Sequence, residues 1–190
     1  MKILSRLFYE RDPAIVAKDL LGKILVRRLN DEILSGRIVE TEAYYGENDP
    51  ASKAYRGRKT FNELMFLDVG KTFIYMVHGH WLLNVIAHLK GGVGGVLMRA
   101  IEPLKGVETM RKNRNVKDLR DLTSGPGKLT KALAITMELN GVDVTKRNSR
   151  LLVIEGKPKS FEICSSHRIG VKWDLPQELR FYIKGNKFVS

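Results

Sequence analysis

The chain has 190 residues, which is enough to bury a core without disulfides or a structural metal, and this length indicates one domain over residues 1–190. One cysteine, Cys164, excludes an internal disulfide, and the lack of a signal peptide or a long apolar run excludes export and membrane insertion, so a cytoplasmic protein is expected. The 33 basic and 21 acidic residues give a net charge of +12, which favours a polyanionic partner over an acidic or neutral one.

The predicted elements begin with a helix that Asp12 caps, Pro13 opens and Gly22 ends. A strand from Ile24 turns at residues 30–32 into a second strand that contains RIVETEAYY. The later predictions are a short helix from 60, hairpin strands at 71–78 and 81–88, a strand at 96–101, helices at 105–114 and 128–135, and strands at 151–154, 161–164 and 179–183. Strands outnumber helices without regular alternation, which predicts an α+β fold with a mainly antiparallel sheet, surrounding helices and a protruding hairpin.

The segment RIVETEAYY places Glu40, Glu42 and Tyr44 on alternate positions of a strand, so the three side chains share one face. A solvated face would explain the charges, and a pocket would explain both the charges and the aromatic ring. In a pocket, burial and the neighbouring carboxylate raise the pKa of a glutamate, which suits it to general-base catalysis near neutral pH. Both interpretations are open at this point.

Other candidate sites are less specific. His78, His80 and His88 fall within eleven residues, but the first two straddle a predicted turn and no cysteine is near, so no metal site is expected. The segment SGPGK opens a helix whose first amides, with Lys128, suit a phosphate, although a plain turn explains it equally well.

Five strings in fixed order carry a resemblance to a known family: RIVETEAYYG, LMRAIEPLKGVETMR, SGPGKLTKALAI, RIGV and LRFYIKGNKFVS. From about Phe8 to its last residue, the chain resembles the alkyladenine DNA glycosylases, also called 3-methyladenine DNA glycosylases. The resemblance implies hydrolysis of the N-glycosidic bond of an alkylated or deaminated purine, of the 3-methyladenine, 7-methylguanine and hypoxanthine class. The nucleotide is flipped out of double-stranded DNA, and no cofactor or metal is needed. A monomer is the simplest expectation.

The resemblance also implies roles for individual residues. Glu42 activates the attacking water, with help from Arg99 and the carbonyl of Ile169. The residues matching the walls of the base pocket are Tyr44, Tyr75 and Asn84.

Two departures from the family pattern concern the pocket and the DNA contact. Lys53 stands where the family motif has a pocket histidine, and His78-Gly79 aligns with a Tyr-Gly pair whose tyrosine wedges into the minor groove. The wedge is then weaker, or Trp81 or Val77 supplies it. One residue is also missing before Asn84, which weakens that correspondence.

Lys53 suggests two hypotheses. Its ammonium disfavours cationic alkylated bases relative to hypoxanthine and other neutral purines, or it forms a Schiff base with the sugar and adds lyase activity. The alternative to both is that Lys53 points to solvent or to a phosphate. The alternative from another class is a non-catalytic protein that binds damaged DNA on the same scaffold, and a metal-dependent hydrolase ranks below it.

Overall fold

The computed structural model describes residues 2–157 and 160–190. Four α-helices are present: α1 (Arg6–Tyr9), α2 (Pro13–Leu20), α3 (Val107–Arg114) and α4 (Pro126–Ala132). Eight strands are present among the described residues: β1 (Ile24–Leu29), β2 (Glu32–Tyr44), β3 (Thr72–Val77), β4 (His80–Ile86), β5 (Gly95–Lys105), β6 (Leu151–Ile154), β7 (Ile163–Ser166) and β8 (Arg180–Ile183). Short 3-10 helices cover Thr60–Phe66 and Met137–Leu139.

All eight strands join one antiparallel sheet, in the order β3-β4-β5-β2-β1-β6, and β8 pairs with both β2 and β7. The 13-residue strand β2 is its centre. β5 runs along one edge of β2, while β1 takes the first half of the other edge and β8 takes the second half. The prediction of an α+β fold with a mainly antiparallel sheet is therefore confirmed.

Helix α2 forms as its sequence predicts. The Asp12 side chain accepts hydrogen bonds from the amides of Ala14 and Ile15, Pro13 begins the helix, and Gly22 follows it with φ +82°. The helix packs on β2 and β5, and the Thr41 hydroxyl donates to the carbonyl of Ala17 at 2.8 Å. One face of β2 is thus closed by α2, which leaves the other face for Glu40 and Glu42.

The pairing of β2 with β5 is irregular where the acidic residues lie. The register shifts between Ile38 and Glu40 and again between Glu40 and Thr41, and Arg99 lies on the facing stretch of β5. Such β-bulges redirect side chains and are frequent beside active sites. The irregularity brings Arg99 against both carboxylates.

Some predicted boundaries were wrong by a few residues. Strand β5 continues through Pro103 to Lys105, because Pro103 lies at another register shift of the β2–β5 pair, where a missing amide donor is tolerated. The hairpin turn is His78-Gly79 and not Gly79-His80, and both residues have positive φ. Helix α4 begins at Pro126 and not at Lys128. In the part of the chain that the structure describes, no helix is both long and apolar enough to cross a membrane.

Candidate active site

Glu42 lies at the centre of the site, with its side chain completely buried. Three groups approach its carboxylate: the Tyr44 hydroxyl donates at 2.8 Å, the backbone N–H of Ile169 donates at 2.8 Å, and a guanidinium nitrogen of Arg99 lies at 3.2 Å. The strand places Tyr44 two residues from Glu42 on the same face, whereas Ile169 comes from the loop after β7. The structure therefore brings together the three residues predicted to surround the catalytic water, Glu42, Arg99 and Ile169, and adds Tyr44, which was predicted as a wall of the base pocket.

Glu40 supports this arrangement from the neighbouring position. Its carboxylate accepts hydrogen bonds from Nε of Arg99 at 2.8 Å and Nε of Arg180 at 2.7 Å, and from the amide and hydroxyl of Ser190 at 2.7 and 2.9 Å. Glu40 thus accepts four hydrogen bonds from protein groups, and it holds Arg99 in place. Glu42 has three partners, all from residues that line the neighbouring cleft.

The two charges of the site affect each other. Burial raises the pKa of Glu42, and the charge of Arg99, the Ile169 amide and the Tyr44 hydroxyl offset that effect only in part. Burial also disfavours the charge of Arg99, but the carboxylates of Glu42 and Glu40 outweigh it and raise the pKa of Arg99. A permanently charged arginine therefore faces a carboxylate whose proton affinity is increased, which is the behaviour expected of a general base.

A largely buried ion cluster of Asp49, Arg168 and Asp174 packs against the Tyr44 ring. The Arg168 guanidinium lies 4.5 Å from the centre of the Tyr44 ring, donates to both oxygens of Asp49 at 2.7 Å, and contacts Asp174 at 2.6 Å. The side chains of Arg168 and Asp49 are completely buried. Burial lowers the proton affinity of Arg168, but its two carboxylate partners reverse the effect, so the pKa of Arg168 is raised. The cluster fixes the Tyr44 ring and the loop that supplies the Ile169 amide.

A cleft of about 520 Å³ opens in front of these residues. Its lining includes Tyr44, Tyr75, Arg99 and Ile169, and the exposed Lys53 lines both this cleft and a narrower neighbouring cavity. The Lys53 ammonium is 4.9 Å from the centre of the Tyr75 ring. This volume is within the range of small-molecule sites and is ample for a purine base.

The remaining predicted site residues lie in different places: two line the cleft or the narrower cavity beside it, and the others do not. Asn84 is buried on the wall of the narrow cavity, where its amide donates to the carbonyl of Phe73 at 3.2 Å. His78 lines the cleft from the exposed hairpin turn that it forms with Gly79. Trp81 is half-buried against the core, and Lys128 forms an ion pair with Asp121 at 2.9 Å.

The histidines form no metal site in the residues that the structure describes, where no cluster of three suitable ligands occurs. Both ring nitrogens of His88 contact backbone carbonyls, those of Leu89 at 2.8 Å and Leu67 at 3.1 Å. His78 and His80 lie on opposite sides of the hairpin turn.

Sequence reasoning missed the residues that support the site: Asp49, Arg168, Asp174, Arg180 and Ser190. Arg168 directly precedes Ile169 in RIGV, and Asp49 follows the acidic strand by a few residues, so each was close to a recognised motif. Their pairing spans 119 residues of sequence, and no local pattern indicates it.

Comparison with known proteins agrees with this geometry. A model of the family described as methylpurine-DNA glycosylase (MPG) matches residues 7–187. A protein of Carboxydothermus hydrogenoformans, provisionally named 3-methyladenine DNA glycosylase, is 46% identical over 190 residues, which cover 99% of this chain and 98% of that protein. Proteins with the same provisional name from Clostridium acetobutylicum and Aeropyrum pernix are 43% and 39% identical, over 98% and 100% of this chain and 97% and 93% of their own lengths. The chain belongs to the methylpurine-DNA glycosylase family.

Proposed function

We propose that the protein is a monofunctional DNA glycosylase of base-excision repair that removes alkylated or deaminated purines and leaves an abasic site. Its substrates are of the 3-methyladenine, 7-methylguanine and hypoxanthine class, presented as flipped-out nucleotides of double-stranded DNA. We further propose that it acts as a monomer in the cytoplasm. The observation that carries the proposal is the buried Glu42 carboxylate, held by Arg99, Tyr44 and the Ile169 amide, three residues that line a cleft large enough for a purine.

The chemistry follows from that geometry. Glu42 accepts a proton from a water molecule, whose oxygen forms a bond to the anomeric carbon of the sugar. The N-glycosidic bond breaks, and its electron pair leaves with the purine. Charge on the sugar is positive in the transition state, and the ionised Glu42 stabilises it, since oxocarbenium character is favoured next to a carboxylate. Burial of Glu42 strengthens both effects because little water screens the charge.

Charge around the cleft supports a DNA substrate. Lys53, Arg99 and Lys172 line it together with His78 and His80, and its described lining contains no acidic residue. The net charge of +12 adds a general attraction for phosphates. The exposed hairpin turn at the cleft edge is well placed to meet the duplex.

Lys53 supports a more specific proposal about which lesions the enzyme prefers. Its side chain is exposed and lines the cleft, with the ammonium 4.9 Å from the centre of the Tyr75 ring, so a base that stacks on Tyr75 meets this charge. At about 4 Å from a cationic base it costs roughly 1 to 4 kcal/mol, for effective dielectric constants of about 80 to 20, while it can donate to O6 or N7 of a neutral purine. We therefore expect hypoxanthine to be favoured over 7-methylguanine.

The test of the activity uses Glu42→Gln with Glu63→Gln as the matched control, since Glu63 is an exposed glutamate away from the cleft. Duplexes that carry a single defined lesion are incubated with each protein, and alkali-labile sites are counted under single-turnover conditions. Glu42→Gln is expected to lower the rate by about 10²- to 10⁴-fold and to keep binding the duplex, while the control keeps the wild-type rate. Tight binding by the wild type without any cleavage would instead identify a non-catalytic damage-binding protein.

The test of specificity compares Lys53→His with the charge-preserving Lys53→Arg. The ratio of hypoxanthine to 7-methylguanine excision is expected to fall about five- to a thousand-fold in the histidine variant, and to change little in the arginine variant. An unchanged ratio in both refutes the role of the charge. Borohydride trapping of a covalent complex that is absent in both variants would show instead that Lys53 supplies lyase chemistry.

A further inference from the structure

Trp173 is the most exposed tryptophan of the chain, which has two. Its side chain is 67% exposed, although a large apolar ring is costly to leave in water. It lies on the rim of the cleft described above, on the same loop as Ile169. Lys172, the adjacent cation, lies 5.7 Å from the centre of the indole ring.

The loop that presents Trp173 is fixed at both ends. The Asp174 carboxylate accepts hydrogen bonds from the amides of Arg168 at 3.1 Å and Leu175 at 2.8 Å, and the Arg168 side chain is completely buried. The indole is thus held in the open by an anchored backbone. A binding residue that is already ordered loses less entropy when it meets its partner.

Flipping a nucleotide out of a duplex leaves a gap in the base stack, and planar or apolar side chains are suited to fill it. At the tip of the hairpin, Val77, His78 and His80 line the cleft, and none of them has a ring as large as an indole. Trp81 is half-buried against the core, and its backbone carbonyl accepts a hydrogen bond from Thr130 at 2.7 Å. Trp173 offers a larger ring than His78 and, unlike Trp81, a free one.

We propose that Trp173 is a base-stacking residue of the DNA interface, which occupies the space that the flipped nucleotide vacates. This inference rests on the proposed function, because it requires a duplex in front of the cleft. Lys172 then lies next to the inserted ring, where it can contact a flanking phosphate.

The two tryptophans allow a direct test. Trp81→Phe leaves Trp173 as the fluorophore, and Trp173→Phe leaves Trp81. Each variant and the wild type are titrated with a duplex that contains a tetrahydrofuran abasic analogue, and binding is followed independently by the anisotropy of a fluorescein label on the DNA. Indole emission is expected to fall on binding in Trp81→Phe and to stay nearly constant in Trp173→Phe. Trp173→Ala is expected to weaken binding of this duplex by about 5- to 150-fold, whereas Phe61→Ala, which removes an exposed ring elsewhere, leaves it unchanged.

The failures of the two proposals can be told apart. Binding of Trp81→Phe by anisotropy without a change in its emission refutes the role of Trp173, and so does quenching that appears only in Trp173→Phe. Equal affinities of Trp173→Ala and Phe61→Ala refute it as well. If the wild-type protein gives no anisotropy change even at low salt, the DNA-binding function itself is wrong, and the inference is overturned with it.

Discussion

Replacing Arg168 by methionine removes a completely buried cation that two carboxylates share. The side chain makes five hydrogen bonds of 2.6 to 3.0 Å, to Asp49, Asp174 and the carbonyl of Ala43. Without it the buried Asp49 keeps only the amides of Tyr45 and Ala51 as partners. Leaving one charge of a buried pair uncompensated costs about 3 to 5 kcal/mol.

That loss is large compared with the total stability of a domain, which is typically about 5 to 15 kcal/mol. For a chain of this size it corresponds to a fall in Tm of roughly 6 to 20 °C. Urea denaturation followed by far-UV circular dichroism measures the free energy of unfolding directly. Lys184→Met is the matched control, because Lys184 and its partner Glu162 are 60% and 65% exposed, and its loss should stay below about 1 kcal/mol.

A double variant separates the orphaned charge from the lost contacts. Asp49→Asn together with Arg168→Met removes the carboxylate that the single change leaves unpaired, so it should be more stable than the sum of the two single effects by about 1 kcal/mol or more. Strict additivity, or a loss below about 1 kcal/mol for Arg168→Met, would refute the conclusion that this ion cluster holds the site together.

Four further outcomes are expected. Because burial raises the pKa of Glu42 and the general base must be ionised, excision should rise with pH through a midpoint above the usual value of 4.5, as a single-turnover pH profile would show. Arg99→Gln removes a charge that lowers that pKa, so the midpoint should move to higher pH, and an unchanged or lower midpoint contradicts the assignment. Since the folded pKa of Glu42 lies above the unfolded one, its ionisation costs the folded state stability as the pH rises above the ordinary value of 4.5. Glu42→Gln should therefore gain stability relative to wild type as the pH rises above that value, measured by urea titration at each pH. Gly127→Ala should cost about 1 to 3 kcal/mol by thermal denaturation, because a Cβ there would lie 2.8 Å from Cβ of His80, and a wild-type Tm would show that the hairpin yields freely.

The sequence predicted correctly those features that depend only on neighbouring residues. The Asp12 cap, the Pro13 start and the Gly22 end of α2 were correct because each is a property of a few neighbouring residues. The placement of Glu42 and Tyr44 on one face followed from the period of a strand. The predicted end of β5 was wrong because the pairing with β2 accommodates Pro103, a residue that by itself favours the end of a strand.

The family resemblance also predicted contacts between residues that no local sequence pattern connects. It placed Arg99 and Ile169 beside Glu42, and the structure brings all three together. Their assigned roles in catalysis and base recognition stay predictions until the variants are measured. The polar contact of Ile169 in the structure is its amide, which donates to Glu42, and the predicted role of its carbonyl stays open.

By itself the sequence determined the kind of surface and chemistry that this protein has: a strongly basic chain, an acidic strand and an aromatic two residues beyond Glu42. Only the tertiary structure decided how the two carboxylates differ, since Arg180 reaches Glu40 across 140 residues, while Glu42 bonds to Tyr44 and Ile169, which line the cleft. It also decided which tryptophan is exposed, because Trp81 is packed against the core while Trp173 projects into solvent at the rim of the cleft. Burial and long-range ion pairing depend on contacts between residues that are far apart in the sequence, so they are set only when the sheet has formed.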